Sequence, residues 1–231
     1  MNMNKKWIIV IIAVIVVAVM IRIIYGGEEK TDLIDEDFTY IGEEDIIKSI
    51  ENLYDETIAT CVNIRTDKHF GCGNVIEISD DSVYIATAKH IVEYEDSFEV
   101  DFQGDKIGIA KVIYTSPQLD YVIGCIKSDD IPEDLETVKY PDQELLYEES
   151  YIFLPFFKEG NGKNYLEGNI IALDEYFPEF NSNLNRHKLE VEKGMSGAGV
   201  FDMFGYYQGM VVGGYEAESV SIPSEEIVIK K

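Results

Sequence analysis

The chain is poor in basic residues and in proline, and each shortage excludes a class of protein. Its 231 residues include 19 lysines and arginines against 44 acidic residues, which gives a net charge of −25. Residues 26–231 hold 16 of the basic and all 44 of the acidic residues, so this part carries −28. Because affinity for nucleic acid comes largely from lysine and arginine at the phosphates, we expect no nucleic-acid partner. The six scattered prolines argue against a disordered chain.

Cysteine and histidine are also scarce. The three cysteines, Cys61, Cys72 and Cys125, are an odd number and do not suggest a disulfide framework. Cys61 and Cys72 lie on the two predicted arms of one hairpin and can pair, while three buried thiols are the alternative. His69 and His187 stand apart from any ligand cluster and are predicted to be surface residues. We therefore expect neither a metal site nor a cofactor.

One long apolar run is present, and it lies at the N terminus. Residues 7–25 match the roughly 20 residues that a helix needs to cross a bilayer. Lys5 and Lys6 precede the run and no convincing small-residue cleavage site follows it, which favours an uncut anchor over a cleaved signal peptide. Because lysines mark the cytoplasmic side, the rest of the chain is predicted to face outward from the cell membrane. Residues 1–25 are then a cytoplasmic tip and single-pass transmembrane helix, and residues 26–44 an acidic stalk.

Beyond the stalk, the apolar pattern changes from helical to strand-like. Residues 43–56 have apolar side chains at helical spacing and predict one short helix. Short runs rich in valine, isoleucine and tyrosine follow without intervening helices, which predicts an all-β fold. Because closed barrels leave no free strand edges, we expect two six-stranded antiparallel barrels, over about residues 58–128 and 145–222. The predicted strands are Ile58–Arg65, Asn74–Ser79, Ser82–Ala88, Phe98–Phe102, Ile107–Tyr114, Tyr121–Lys127, Tyr151–Phe156, Leu166–Leu173, Lys188–Val191, Gly199–Asp202, Tyr207–Val212 and Val220–Ile222.

Two of these strands adjoin ionisable residues suited to proton transfer. His90 follows the apolar strand that ends at Ala88, where it is held by the strand yet free to face a cleft, as a general base requires. Asp120 opens the apolar strand over residues 121–127, where burial of a carboxylate is costly without a partner. An imidazole N–H can be that partner. A surface or core histidine, and an aspartate that accepts backbone N–H bonds, are the alternatives for each residue alone.

A glycine-rich turn surrounds Ser196, in Gly194-Met195-Ser196-Gly197-Ala198-Gly199. A nucleophilic serine needs a tight turn that exposes its hydroxyl and directs backbone N–H groups at the developing oxyanion. Glycine permits both. Taken alone, the segment is equally compatible with an ordinary glycine-rich turn.

The order His90, Asp120, Ser196 on an all-β chain resembles the trypsin-like serine peptidases of the chymotrypsin fold. Thr-Ala-Lys-His resembles the family's Thr-Ala-Ala-His, Leu-Asp-Tyr-Val-Ile its Asp-Leu-Ala-Val strand, and Gly-Met-Ser-Gly its Gly-Asn/Asp-Ser-Gly. The bacterial HtrA-like group is the most similar, although too few residues follow Ser224 for the PDZ domain that many members carry. The resemblance implies that residues 45–231 form a serine endopeptidase domain acting on proteins or peptides.

The resemblance also implies a role for each matching residue. His90 is the general base, Asp120 orients its imidazole, Ser196 is the nucleophile, and the amides of Gly194 and Ser196 form the oxyanion hole. No metal or cofactor takes part in this chemistry.

Substrate contacts are implied at Glu190, Val212 and Gly213, which match the pocket base and the substrate-binding strand. Glu190 favours lysine or arginine at the cleavage site if it faces the pocket, and is otherwise one solvated carboxylate among many. No pattern in the sequence indicates the natural substrate or an oligomeric state.

The nucleophile motif departs from the family pattern. Met195 stands where the family has asparagine or aspartate, Ala198 replaces a glycine and Gly199 replaces a proline. The amides of the oxyanion hole survive these changes, so we expect activity. The alternative is an inactive pseudopeptidase that binds peptides or proteins at the membrane. A cysteine peptidase using Cys125 is excluded, because no Gly-x-Cys-Gly turn surrounds that residue.

Overall fold

A computed structural model describes residues 43–102, 106–127, 131–132, 135–141, 146–158 and 162–229. The predicted transmembrane helix over residues 7–25, and the stalk up to residue 42, lie outside these ranges. Within them, no helix has both the length and the apolar character needed to cross a membrane.

The described chain opens with a helix and continues as strands. The helices are α1 (Glu43–Ile58) and α2 (Lys89–Val92). The first six strands are β1 (Cys61–Arg65), β2 (Phe70–Ile78), β3 (Ser82–Ala88), β4 (Ser97–Phe102), β5 (Lys106–Thr115) and β6 (Tyr121–Lys127). The next six are β7 (Tyr151–Lys158), β8 (Gly162–Phe177), β9 (Ser182–His187), β10 (Gly199–Asp202), β11 (Tyr207–Tyr215) and β12 (Glu218–Pro223), followed by a 3₁₀ turn (Ser224–Glu226).

The strands form two closed antiparallel barrels. Barrel one has the order β1-β2-β3-β6-β5-β4 and is closed where β4 pairs with β1. Barrel two has the order β10-β11-β12-β9-β8-β7 and is closed where β7 pairs with β10. Closure satisfies the backbone groups that an open sheet leaves at its edges. The prediction of an all-β fold with two six-stranded barrels is confirmed.

The apolar cores of the two barrels are continuous with each other. One cluster joins interior residues of barrel one, such as Ile85 and Ile123, to Phe153, Phe201 and other residues of barrel two. A second cluster fills the rest of barrel two and takes in Cys72 from β2. Because the barrels share apolar contacts, the strand ends along their junction are held together.

Helix α1 packs on barrel two through Tyr54. Its ring stacks on Tyr165 with 4.3 Å between centroids, and its hydroxyl lies 3.0 Å from the Tyr151 hydroxyl. The same hydroxyl donates to Glu167 Oε1 at 2.5 Å. Burial raises the pKa of Tyr54, so the phenol stays protonated and keeps its proton for this bond. The predicted helix is confirmed and ends at Ile58.

One predicted strand is wrong. Residues 188–191 form no strand, and β9 lies just before them, at Ser182–His187. The alternation that suggested a strand arises because Leu189 is buried in barrel two while its neighbours on each side are exposed or less buried. Residues 182–187 are mostly polar, so their pairing with β8 and β12 leaves little trace in hydrophobicity. Strand β8 is also longer than predicted.

Candidate active site

The register between β3 and β6 brings His90 and Asp120 together. Ala88, the last residue of β3, lies opposite Tyr121, the first residue of β6. Asp120 directly precedes Tyr121, and His90 follows Ala88 by two residues. The His90 imidazole Nδ1 lies 2.6 Å from Asp120 Oδ2, and the His90 backbone N–H donates to Asp120 Oδ1 at 2.9 Å. One carboxylate therefore holds both the ring and the backbone of the histidine.

The exposure of this pair suits proton transfer. The side chain of His90 is 44% exposed and that of Asp120 is 21% exposed. An ionised carboxylate only accepts hydrogen bonds, so the proton between them belongs to Nδ1. With a proton on Nδ1 alone, Nε2 is left as the hydrogen-bond acceptor of the ring. Among the described residues, the hydrogen bonds of His90 go to Asp120 and none goes to Ser196.

Ser196 lies in a turn in which some backbone N–H groups have a hydrogen-bond acceptor within the described residues and others have none. The N–H groups of Met195, Gly197 and Ala198 donate to carbonyl oxygens at 2.8–3.1 Å. For Gly194 and Ser196, by contrast, the described residues provide no acceptor for the backbone N–H. Gly194 and Gly197 have φ angles of +98° and +87°, a region that favours glycine. The turn can therefore present two amides to an anion beside the serine hydroxyl.

The turn rests on the first residues of β2. The Cys72 backbone N–H donates to the Ser196 carbonyl at 2.8 Å, and the Cys72 thiol lies 3.3 Å from the Gly194 carbonyl. A Cβ atom on Gly197 would lie 1.9 Å from the Cys72 carbonyl oxygen, and one on Gly194 would lie 2.3 Å from the ring of Phe70. Sequence patterns did not identify Phe70 and Cys72 as part of the site, because their contacts with Gly194 join residues more than 120 positions apart.

Gly71 connects the serine turn to the helix that carries His90. A Cβ atom added to Gly71 would lie 2.8 Å from the Ser196 carbonyl oxygen and 3.0 Å from Ile91 Cδ1. Ile91 follows His90 in α2. The turn of barrel two and the His90 segment of barrel one therefore approach the same residue of β2 from two sides.

Met195 is one of the three residues at which the nucleophile motif departs from the family pattern. Its side chain is buried in the core of barrel two, and its sulfur accepts the Glu192 backbone N–H at 3.2 Å. The thioether thus fills a core site and supports the turn at once. An acceptor role for a methionine has no signal in the sequence.

The three residues predicted to contact substrate lie in different environments. Glu190 is exposed, whereas the side chain of Val212 is buried. Gly213 is half-buried, and a Cβ atom there would lie 2.8 Å from Phe180 Cζ. Beside it, a Cβ atom on Gly214 would lie 2.3 Å from Val191 Cγ2. Of the three, Glu190 is therefore the residue whose side chain is open to solvent.

One histidine prediction is wrong. His187 is 1% exposed, not a surface residue, and its ring nitrogens lie 3.3 and 3.2 Å from the hydroxyls of Ser219 and Ser221. Removal from water lowers its pKa from 6.5 to about 4, so the ring is neutral near pH 7. His69 is partly exposed and pairs with Glu93 at 3.2 Å. Burial of His187 depends on the β9–β12 pairing, which local sequence does not reveal.

The cysteines are free thiols. Cys61 and Cys72 are both buried, and burial raises the pKa of each thiol to about 12. Cys125 is partly exposed on barrel one. The sequence left open whether Cys61 and Cys72 form a disulfide or remain thiols, and in the structure they are unpaired thiols.

Comparisons with known proteins agree with this arrangement. Residues 71–213 match the family described as trypsin-like peptidase domain. A crystal structure of the Rv3671c protease in an inactive form has a TM-score of 0.61 at 19% identity, over 77% of this chain and 90% of that one. A serine-to-alanine mutant of Rv3671c from M. tuberculosis H37Rv, also inactive, has a TM-score of 0.62 at 18% identity, over 77% and 88%. At such identities the likeness concerns the fold.

No curated protein matches the chain. The family match nevertheless covers more than half of its length, includes the segments of His90, Asp120 and Ser196, and agrees with the two-barrel topology. The chain belongs to the trypsin-like serine peptidase family.

Proposed function

We propose that the chain is a serine endopeptidase in which Ser196 is the nucleophile, His90 the general base and Asp120 the residue that orients the imidazole. The observation that carries this proposal is the hydrogen bond of 2.6 Å between His90 Nδ1 and Asp120 Oδ2. It fixes the tautomer in which Nε2 accepts a proton, as the base of such a triad must.

The proposed reaction is acyl transfer. Ser196 Oγ attacks the carbonyl carbon of a peptide bond while its proton passes to His90 Nε2. The amides of Gly194 and Ser196 receive the oxyanion, which is supported by their lack of another acceptor among the described residues. The imidazolium then protonates the leaving amine, and water, deprotonated by His90, releases the acyl group.

The second half of β11 supports an extended peptide as the substrate. Strand β10 pairs with β11 only as far as Met210, whereas β12 pairs with it to Tyr215. Residues 213–215 therefore have one edge without a strand partner in the described chain, beside the serine turn. Main-chain hydrogen bonds can add a peptide to such an edge. Glu190 is exposed before the turn and is proposed to attract basic side chains.

The second candidate function is an inactive pseudopeptidase that binds peptides in the same cleft. Two observations favour it: the hydrogen bonds of His90 do not include Ser196, and Met195 replaces a polar residue in the turn. Catalytic hydrogen bonds are often loose before substrate binds, so we favour the active peptidase.

A fluorophosphonate probe separates the two functions, because it reacts only with an activated serine. We expect the full-length wild type and Ser79→Ala, a change on an exposed hairpin, to be labelled and to cleave unfolded protein. Ser196→Ala should show neither property. A wild type that binds unfolded peptides but is never labelled would support the pseudopeptidase.

We further propose that the domain is held at the outer face of the cell membrane by residues 7–25. The support is the apolar run itself, with Lys5 and Lys6 before it. In cell fractionation, the full chain should stay with the membrane after an alkaline wash, and a chain lacking residues 7–25 should not. An intact chain released by that wash would contradict the anchor.

A further inference from the structure

Lys89, the residue before His90, is bonded to the loop that carries Asp120. Its ammonium donates to the carbonyl oxygens of Ser116 and Leu119, each at 2.9 Å. Both acceptors lie in the connection between β5 and β6. Lys89 stands where the family pattern Thr-Ala-Ala-His has alanine, a side chain that reaches no such acceptor.

Apart from the burial of Ser116 and the packing of Leu119 against the core, the connection is held by hydrogen bonds within itself. The Ser116 N–H donates to the Tyr121 carbonyl at 3.0 Å, and the Leu119 N–H donates to Ser116 Oγ at 3.0 Å. Pro117 and Gln118, at its tip, are exposed. These bonds close the loop on itself, whereas the ammonium ties it to the segment that bears the histidine.

Backbone bonds complete the attachment on the other side. The Lys89 N–H donates to the Asp120 carbonyl at 3.1 Å, and the next N–H, of His90, donates to the Asp120 carboxylate. Residues 89 and 90 therefore hold the Asp120 segment at its loop carbonyls, its own carbonyl and its carboxylate. A charged donor bonded to two carbonyls restrains their position more strongly than neutral donors do.

We propose that Lys89 is a positioning residue that sets Asp120, and through it the His90 imidazole, for catalysis. It touches neither substrate nor the reacting atoms. The inference rests on the proposed peptidase function. It follows that loss of the ammonium leaves the two loop carbonyls without this donor, while the strand pairing and the packing of Leu119 keep the fold and Asp120 gains freedom to move. A displacement of about 1 Å in a catalytic group can cost about 100-fold in rate.

The test compares Lys89→Met, which keeps the length of the four-atom stem and removes the ammonium donors, with Lys89→Arg, which keeps both charge and donors. Lys139→Met is the control, because Lys139 pairs with Glu56 on the exposed surface. Full-length proteins are titrated with a fluorophosphonate probe to obtain the maximal inactivation rate and the half-saturation concentration. We expect Lys89→Met to lower the maximal rate about 10- to 100-fold with half-saturation unchanged. Lys89→Arg and Lys139→Met should stay within about threefold of the wild type.

The proton between His90 and Asp120 gives a readout independent of activity. Its NMR resonance should be present in the wild type and in Lys89→Arg, and broadened or lost in Lys89→Met. A labelling rate and resonance in Lys89→Met equal to those of the wild type would overturn the role of Lys89 while leaving the peptidase proposal standing. If the wild type is never labelled, the peptidase proposal fails, and the resonance alone decides whether Lys89 positions the pair. Should Lys89→Met fail to fold, Lys89→Gln, whose amide is uncharged and whose side chain is one atom shorter, takes its place under the same criteria.

Discussion

The two barrels hold their parts of the candidate active site by different means. Barrel one positions His90 and Asp120 with hydrogen bonds between charged or polar groups, at 2.6 and 2.9 Å. Barrel two positions the turn of Ser196 with backbone hydrogen bonds and, in addition, by close packing, through two glycines at positive φ whose hydrogens face Phe70 and Cys72 of the other barrel.

Because of this difference, substitutions in the two barrels should affect catalysis and stability to different extents. Polar bonds at an exposed strand end can be removed with little effect on the core, since water replaces them. Closely packed glycines cannot be enlarged without displacing backbone. Substitutions in barrel one should therefore reduce catalysis and spare the fold, whereas substitutions in the turn of barrel two should affect both.

The largest expected effect is on catalysis in barrel one. Asp120→Asn replaces an acceptor by an amide whose N–H₂ group can face the imidazole and favour the wrong tautomer. We expect the rate of peptide cleavage to fall about 10⁴-fold, as this replacement does in such triads, with the urea midpoint of unfolding unchanged. Asp96→Asn, in the exposed segment after α2, is the control and should keep full activity. An Asp120→Asn variant of normal rate would remove Asp120 from the mechanism.

Gly197→Ala is the corresponding test in barrel two. The added methyl group would lie 1.9 Å from the Cys72 carbonyl oxygen, at a φ of +87°. Overpacking and the left-handed backbone together should lower the free energy of unfolding by about 2–5 kcal/mol, and labelling should be lost. Gly162→Ala has a similar φ of +68° with nothing within 4 Å, so it should cost only about 1–2 kcal/mol. Equal losses in urea unfolding would show that packing against β2 is unimportant.

The third effect concerns pH and the interior of barrel two. The pKa of His187 is lowered from 6.5 to about 4 by burial. Between pH 6.5 and pH 4, His187 is therefore protonated in the unfolded chain and neutral in the folded chain, which favours unfolding as the pH falls. This contribution is complete above about pH 6.5 and is lost as the pH falls towards 4. It amounts to about 3 kcal/mol in the free energy of unfolding.

Comparison with variants isolates the histidine from the many carboxylates that titrate in the same range. Urea unfolding should show a shallower dependence on pH for His187→Gln than for the wild type, between pH 6.5 and 4. Gly162→Ala, which changes no titratable group, should keep the wild-type slope. Parallel curves for the wild type and His187→Gln would contradict the burial of a neutral His187.

The smallest effect is expected at Met195. Leucine has a similar volume but cannot accept the Glu192 N–H, so Met195→Leu removes one weak hydrogen bond from the turn. We expect the free energy of unfolding to fall by less than about 1.5 kcal/mol and the labelling rate to fall less than about tenfold. A loss of labelling as complete as that of Ser196→Ala would mean that the thioether is essential to the turn.

Features governed by neighbouring residues could be predicted from the sequence. Two local features are the apolar runs of β3 and β6 and the glycines around Ser196. Together with the order of the three motifs along the chain, they predicted two barrels and the residues of the candidate triad. The helix over residues 43–56 was predicted for the same reason, since its apolar spacing is a property of one segment.

Features that depend on strand register could not be predicted. The contact of Phe70 and Cys72 with the serine turn joins residues in different barrels. The carbonyl groups that accept hydrogen bonds from Lys89 belong to residues 27 and 30 positions later in the chain. His187 looked like a surface residue because its partners, Ser219 and Ser221, are supplied by another strand. The strand predicted at 188–191 is wrong because alternating burial also occurs in a segment that forms no strand.

Whether Ser196 is the nucleophile is tested most directly by locating the fluorophosphonate adduct through mass spectrometry of the digested, labelled protein. We expect one adduct, on Ser196 Oγ, formed at a rate that falls sharply in Asp120→Asn. The absence of an adduct on Ser196 in the folded wild type, or labelling of another residue that persists in Ser196→Ala, would contradict the role of Ser196 as nucleophile.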